Sequence, residues 1–140
     1  MALPTKLLLE IVTPDRSLVR EEVDEVQLPG SEGYLGVLPG HAPLLATLRV
    51  GELWYRLGLE RHYLAIAGGF VEVLPDRVTV LAQIAERAQE IDAARAEAAR
   101  KRAEERLAHP APDMDLERAR IALMKALIRQ QVATRARTRV

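Results

Sequence analysis

Cysteine is absent from this 140-residue chain, which excludes both a disulfide framework and a thiolate metal site. Aromatic residues are scarce, with one Trp, one Phe and three Tyr, and none lies near the Arg-rich C-terminal end. A stacking platform for nucleic acid is therefore missing, and no nucleic-acid partner is expected. Long apolar runs are missing too. The opening "MALPTKLLLEIVTPD" has one short apolar stretch, broken by Glu10 and Pro14, that matches neither a signal peptide nor a membrane span. The expectation is a soluble intracellular chain able to sit against a membrane complex. There is no Walker-type Gly-rich loop and no nucleophile elbow. His41, His62 and His109 fall in separate segments without ligand spacing, so no metal site is expected. Carboxylates are numerous but scattered, and no pair lies in an apolar setting that would drive two pKa values apart. No catalytic residue is assigned, and the chain reads as non-catalytic.

What is present divides into two modules, residues 1–86 and 87–140. The first is built of short alternating runs. "KLLLEIV" places Leu7, Leu9 and Ile11 on one face, "VDEVQL" does the same with Val26 and Leu28, and "HYLAIA" repeats the alternation. "FVEVLPDRVTVLA" reads as two strands joined by Pro75-Asp76, where Pro presets the backbone angle of a turn. Gly and Pro punctuate the module at Pro29-Gly30, Gly33, Gly36, Pro39-Gly40, Gly51 and Gly68-Gly69. This pattern predicts an antiparallel β-sandwich or flattened barrel of about eight to ten strands.

Beyond Glu86 glycine is absent, Ala and Arg dominate, and two helical runs flank "AHPAPD". The first is expected over about 92–108 and the second over about 115–135. Pro110 and Pro112 separate them, because a helix interior cannot keep its hydrogen bonds through proline. Either Asp113 or Asp115 suits the N-cap of the second helix. A short connection makes the pair an antiparallel α-helical hairpin, with Ala93, Ala96, Ala99 and Ala103 letting the backbones approach. The whole is an α+β chain. In the second helix Ile121, Ala122, Leu123, Met124, Ala126, Leu127 and Ile128 leave only Lys125 polar. A hairpin partner covers one stripe, so the remaining apolar face must meet the sandwich, another subunit, or each in turn.

Charge is balanced overall, with 20 basic and 20 acidic residues, but it is unevenly spread. Arg118, Arg120, Lys125, Arg129, Arg135, Arg137 and Arg139 crowd the last segment with no acid among them, while Glu21, Glu22, Asp24 and Glu25 cluster early. A positive tail points to an acidic partner surface or an anion. In the sheet module the stretch "GSEGYLGVLPGHAPLLATL" is the most distinctive. Its glycines and Pro39-Gly40-His41-Ala42-Pro43 predict a stiff loop exposing Tyr34, Val37 and His41, suited either to a contact surface or to a plain turn.

Three stretches together, "GYLGVLPGHAPLLATL", "AIAGGFVEVLPDRVTVLAQIAERAQEID" and the Ala-rich hairpin, resemble the epsilon-subunit family of F-type rotary ATP synthases across essentially the whole chain. The resemblance implies a bacterial or plastid-encoded, non-catalytic central-stalk subunit of a proton-translocating complex. It would lie peripherally on the cytoplasmic face of the bacterial plasma membrane. The sandwich would bind the gamma subunit and the c-ring, the latter through the loop of residues 34–43. Some relatives carry a carboxylate where this chain has Tyr34. The hairpin would either fold on the sandwich or extend along gamma, where its basic helix meets the beta (and alpha) subunits and blocks hydrolysis.

"EIDAARA" matches the I/L-D-x-x-R-A pattern that marks an ATP site in some relatives, here Ile91, Asp92, Arg95 and Ala96. Carried along the chain, the family's nucleotide positions fall on Glu86, Ile91, Asp92, Arg95, Arg102, Lys125 and Arg129. No cofactor is required; ATP, with or without Mg, is the expected regulatory ligand. Geometry is compatible with this. Asp92, Arg95, Ala99 and Arg102 share one helical face, and Lys125 and Arg129 are neighbours one turn apart. Arginine binds phosphate oxygens bidentately, and Lys125, which replaces an Arg of ATP-binding relatives, lacks that fork. The competing reading is structural: Asp92 caps the first helix and Arg95 pairs with it.

Overall fold

The computed structural model describes residues 3–137. Seven strands are found among them: β1 (Leu7–Val12), β2 (Ser17–Val23), β3 (Glu25–Gly30), β4 (Gly33–Val37), β5 (Leu44–Leu57), β6 (Glu60–Leu74) and β7 (Arg77–Arg87). A 3-10 turn at Ala88–Glu90 leads into α1 (Ala93–Ala108) and α2 (Leu116–Arg137). The strands form one sheet in the order β2-β1-β7-β6-β5-β3-β4. Every pairing is antiparallel except β1 with β7, which run parallel, a departure from the all-antiparallel expectation. Residues from both edge strands, Leu18, Val19 and Val23 of β2 and Val37 of β4, enter the same buried cluster. The sheet is therefore folded over on itself as a sandwich, with the helical hairpin against its outside.

The alternation read from sequence fills that core. Leu7, Leu9, Ile11, Val26 and Leu28 are fully buried. The strand count of eight to ten is corrected to seven among the described residues. Gly51 and Gly68-Gly69, predicted to punctuate the strands, lie inside β5 and β6. At this level the inward-facing parity slips by one residue in three neighbouring strands. Leu48 and Leu53 both face inward, as do Ile66 and Val71, and Ala82 and Ala85. Gly68 (φ +80°) and Gly69 (φ +127°) adopt angles that L side chains rarely take. They bend the sheet without ending it and without shifting its register, which runs unbroken from Leu48–Gly69 to Val50–Ala67 on one side and from Ala67–Ile84 to Gly69–Ala82 on the other.

Val37, expected at the surface, has no exposed area. It faces inward opposite Val26, because β4 runs through the segment read as a loop. Tyr34 is 47% exposed, as expected, and His41 is half-buried.

In the hairpin, Asp92 caps α1 by accepting from the Arg95 N–H at 3.0 Å. Asp115 caps α2 by accepting from the Arg118 N–H at 3.1 Å, which selects it over Asp113. Ala96 and Ala103 of α1 and Ala119, Ala126 and Ala133 of α2 are buried. Each set repeats every seven residues, two helical turns, so small side chains keep the helices close along a continuous seam. Of the four alanines proposed for this contact, Ala96 and Ala103 are fully buried, and Ala93 and Ala99 are half-buried, Ala93 in the cluster that holds Val132 and Ala133 of α2. Ile128, Val132, Ala133 and Ala136 of α2 pack with Tyr63, Ala65, Ala88 and Ile91. The third side of α2, with Ile121, Met124 and Leu127, stays partly exposed. No helix among the described residues is long and apolar enough to cross a membrane.

Candidate functional site

Helix α2 meets the outer face of β5 and β6 with its C-terminal half. Its middle is lifted from the sheet, and a cleft of about 460 Å³ opens there. Val50, Ala67 and Ile84 form an apolar wall on the sheet side, and Ala99, Ala122 and Ala126 leave room on the helical side. Glu86, Arg95, Lys125 and Arg129 supply its charges. These four come from β7, α1 and α2, so the cleft exists only while the hairpin is folded on the sheet.

Arg129 is committed within the cleft. Its Nε donates to Glu86 Oε1 at 2.7 Å and its Nη2 to Oε2 at 3.2 Å. Both side chains are about three-quarters buried, so removing one partner costs on the order of 2 kcal/mol. No ion pair or hydrogen bond holds the Arg95 or Lys125 side chain among the described residues. Two uncommitted cations thus face an apolar pocket beside one compensated pair. That combination suits an anion carrying a flat apolar group, and the volume falls within the usual range for small-molecule sites.

Of the eight residues named from sequence, Glu86, Arg95, Lys125 and Arg129 line the cleft and four do not. Ile91 is buried in the cluster between hairpin and sheet. Ala96 is fully buried in the seam between the helices. Asp92 is occupied as the N-cap, and it takes the backbone N–H of Arg95, so the expected Arg95–Asp92 side-chain pair does not form. Arg102 is exposed, two turns beyond Arg95 on the same helical face and outside the cleft lining.

The basic tail is also not all free for a partner. Arg135 is bonded to Glu52 at 3.1 and 3.2 Å, and Arg129 is held by Glu86. Arg118 and Arg120 are exposed. The Arg137 side chain and Arg139 lie outside the described residues. Sequence reasoning missed Glu52 and the sheet wall of the cleft. One signal was available: "LAIA", residues 64–67, is apolar at consecutive positions, the mark of a strand covered on both faces.

Two family profiles match the chain in succession. Residues 6–88 match the profile for the ATP synthase delta/epsilon chain β-sandwich domain, and residues 89–134 match that for the long α-helix domain of the same chain. A protein of Solibacter usitatus (strain Ellin6076) named ATP synthase epsilon chain is 50% identical over 131 residues, 94% of this chain and 98% of its own length. A protein of the same name from Syntrophobacter fumaroxidans (strain DSM 10017 / MPOB) is 53% identical over 128 residues, covering 91% and 96%. Among solved structures, a chain in the cryo-EM structure of the Euglena gracilis mitochondrial ATP synthase (OSCP/F1/c-ring, rotational state 1) superposes with a TM-score of 0.82. Its identity is 25%, over 96% of this chain and 84% of that one. With both modules matched in order and half the residues shared with full-length relatives, this chain belongs to the ATP synthase delta/epsilon family.

Proposed function

We propose that the chain is a non-catalytic central-stalk subunit of a bacterial F-type ATP synthase, peripheral on the cytoplasmic face of the plasma membrane. In this reading the sandwich joins the gamma subunit to the c-ring, with the loop of residues 34–43 toward the ring. The hairpin is a movable brake on hydrolysis that reaches the beta (and alpha) subunits when extended, and ATP holds it folded. The observation that carries the ATP reading is the cleft in which Arg95, Lys125, Arg129 and Glu86 converge from three elements.

Within that cleft Arg95 and Lys125 neutralise phosphate oxygens, and Arg129, its charge offset and its side chain held by Glu86, contributes a fixed hydrogen-bond donor. The base lies against Ala67, Val50 and Ile84, where apolar contact and exclusion of water hold it. Such a ligand touches both helices and the sheet at once, so it binds the folded hairpin in preference to an extended one. At about one hundred times its dissociation constant it stabilises the folded state by about 2.7 kcal/mol. That suffices to choose between states a few kcal/mol apart.

Isothermal titration of the full chain with ATP, with and without Mg, tests the site. Saturable heat is expected, with affinity at least about tenfold weaker in Arg95→Ala, which loses a charge-assisted contact. Absence of saturable binding by the unmodified chain refutes the nucleotide reading.

A further inference from the structure

Among the described residues Glu52 is the one charged residue that is buried, with 6% of its surface exposed. It sits on the outer face of β5, opposite Ala65 of β6. Its carboxylate accepts from Arg135 Nε at 3.1 Å and Nη2 at 3.2 Å, and from Gln131 Nε2 at 3.4 Å. The Arg135 guanidinium also stands 4.9 Å from the centre of the Tyr63 ring, and its bond to Glu52 raises its pKa. Two side chains, Glu52 of β5 and Tyr63 of β6, therefore hold the last described turns of α2 at one point.

The rest of the contact at this end of α2 is apolar. Ala65, Ala88, Val132, Ala133 and Ala136, with the larger Ile91 and Ile128, are groups without directional partners, and the helix seam repeats every seven residues. A helix on such a surface shifts along its axis with modest loss of contact. A buried carboxylate that takes both ends of one guanidinium fork tolerates no such shift, because a displaced helix leaves it without its cation. Glu86–Arg129 anchors the middle of α2 in this way, and a buried polar pair that sets the register of an apolar helix contact is a well-attested device.

We propose that Glu52 and Arg135 form a latch that fixes the register of α2 on the sheet and sets how often the hairpin opens. The latch lies apart from the nucleotide cleft, since neither residue lines it. Ligand binding and latching are therefore separate contributions to the folded hairpin. Glu86–Arg129 ties the middle of α2 to β7, and Glu52–Arg135 ties its end to β5. The inference rests on the movable hairpin proposed above only for its functional consequence.

Native-state hydrogen exchange on the full chain tests it, comparing α2 amides around Ala126 to Ala133 with core-strand amides around Leu9 and Val71. In Glu52→Gln, and separately in Arg135→Gln, exchange through local opening of α2 should rise by about tenfold, with strand amides unchanged. The double variant should rise no further than either single one, because both remove the same interaction. Unchanged α2 protection in both single variants, full additivity in the double one, or a parallel loss of strand protection overturns the latch. If α2 of the unmodified chain exchanges only through global unfolding, the movable hairpin is refuted. The latch then stands if Glu52→Gln alone creates a separate, faster opening of α2, and falls if it does not.

Discussion

Replacing Gly69 by alanine should unfold the sandwich far more readily than the same change at Gly36, although both glycines lie inside strands. Gly69 has φ +127°, and a Cβ built there falls 2.2 Å from the Leu81 carbonyl oxygen and 2.8 Å from Ala82 Cα. Both obstacles are backbone of the neighbouring strand, so no side-chain rotation relieves them. The backbone angle alone costs a non-glycine residue about 1–3 kcal/mol. Separating β6 from β7 adds the loss of ladder hydrogen bonds next to Ala82, worth about 1 kcal/mol each. A total near 3 kcal/mol follows, or a fall in Tm of about 10 °C for a chain of this size. At Gly36 nothing lies within 4 Å of the added Cβ, and alanine there should change stability by less than about 0.5 kcal/mol. Trp54, the one tryptophan of the chain, is buried in β5 under the Arg61 guanidinium, so its fluorescence during urea unfolding reports the sandwich. A Gly69→Ala penalty below about 1 kcal/mol, or one equal to that of Gly36→Ala, would refute the argument from backbone strain and close approach.

Two further outcomes follow from the hairpin. Lys125→Arg gives the cleft a planar fork in place of a point charge, and ATP affinity measured by calorimetry should rise by about three- to tenfold; an unchanged or weaker affinity places Lys125 away from the phosphates. The Glu97 carboxyl is held below the ordinary glutamate range by Arg100, and further by Gln130, which crosses from α2. A depressed folded-state pKa means that its contribution is complete above the ordinary glutamate range and is lost as pH falls through the lowered value. Acid should therefore loosen the helix pairing more steeply in the parent than in Glu97→Gln when helical circular dichroism is followed from about pH 5 to pH 3, and identical profiles would show that this carboxylate does not couple the helices.

Local pattern was enough for features that depend on neighbours in sequence. Leu7, Leu9 and Ile11 share a face because strand side chains alternate, whatever the sheet does next. Pro110 and Pro112 end α1 because the defect is in the residue itself, and Asp92 caps α1 through a bond three residues long. Glycine was ambiguous for a physical reason. The same freedom at positive φ serves a turn at Gly40 and a bend inside a continuous strand at Gly68-Gly69, and only the pairing of β6 with β5 and β7 distinguishes them. Val37 is alike in this respect, since its burial comes from β3 rather than from its own segment.

The amino-acid sequence by itself determined a sandwich-forming set of strands, an alanine-seamed hairpin and a supply of cations along its two helices. Which cations are available was decided by the tertiary structure. Arg129 is neutralised by Glu86, 43 residues earlier, and Arg135 by Glu52, 83 residues earlier, whereas Arg95 and Lys125 are left facing the cleft. No periodicity encodes such partners, because an ion pair depends on distance in space, and the folding of β5, β6 and β7 under α2 sets that distance.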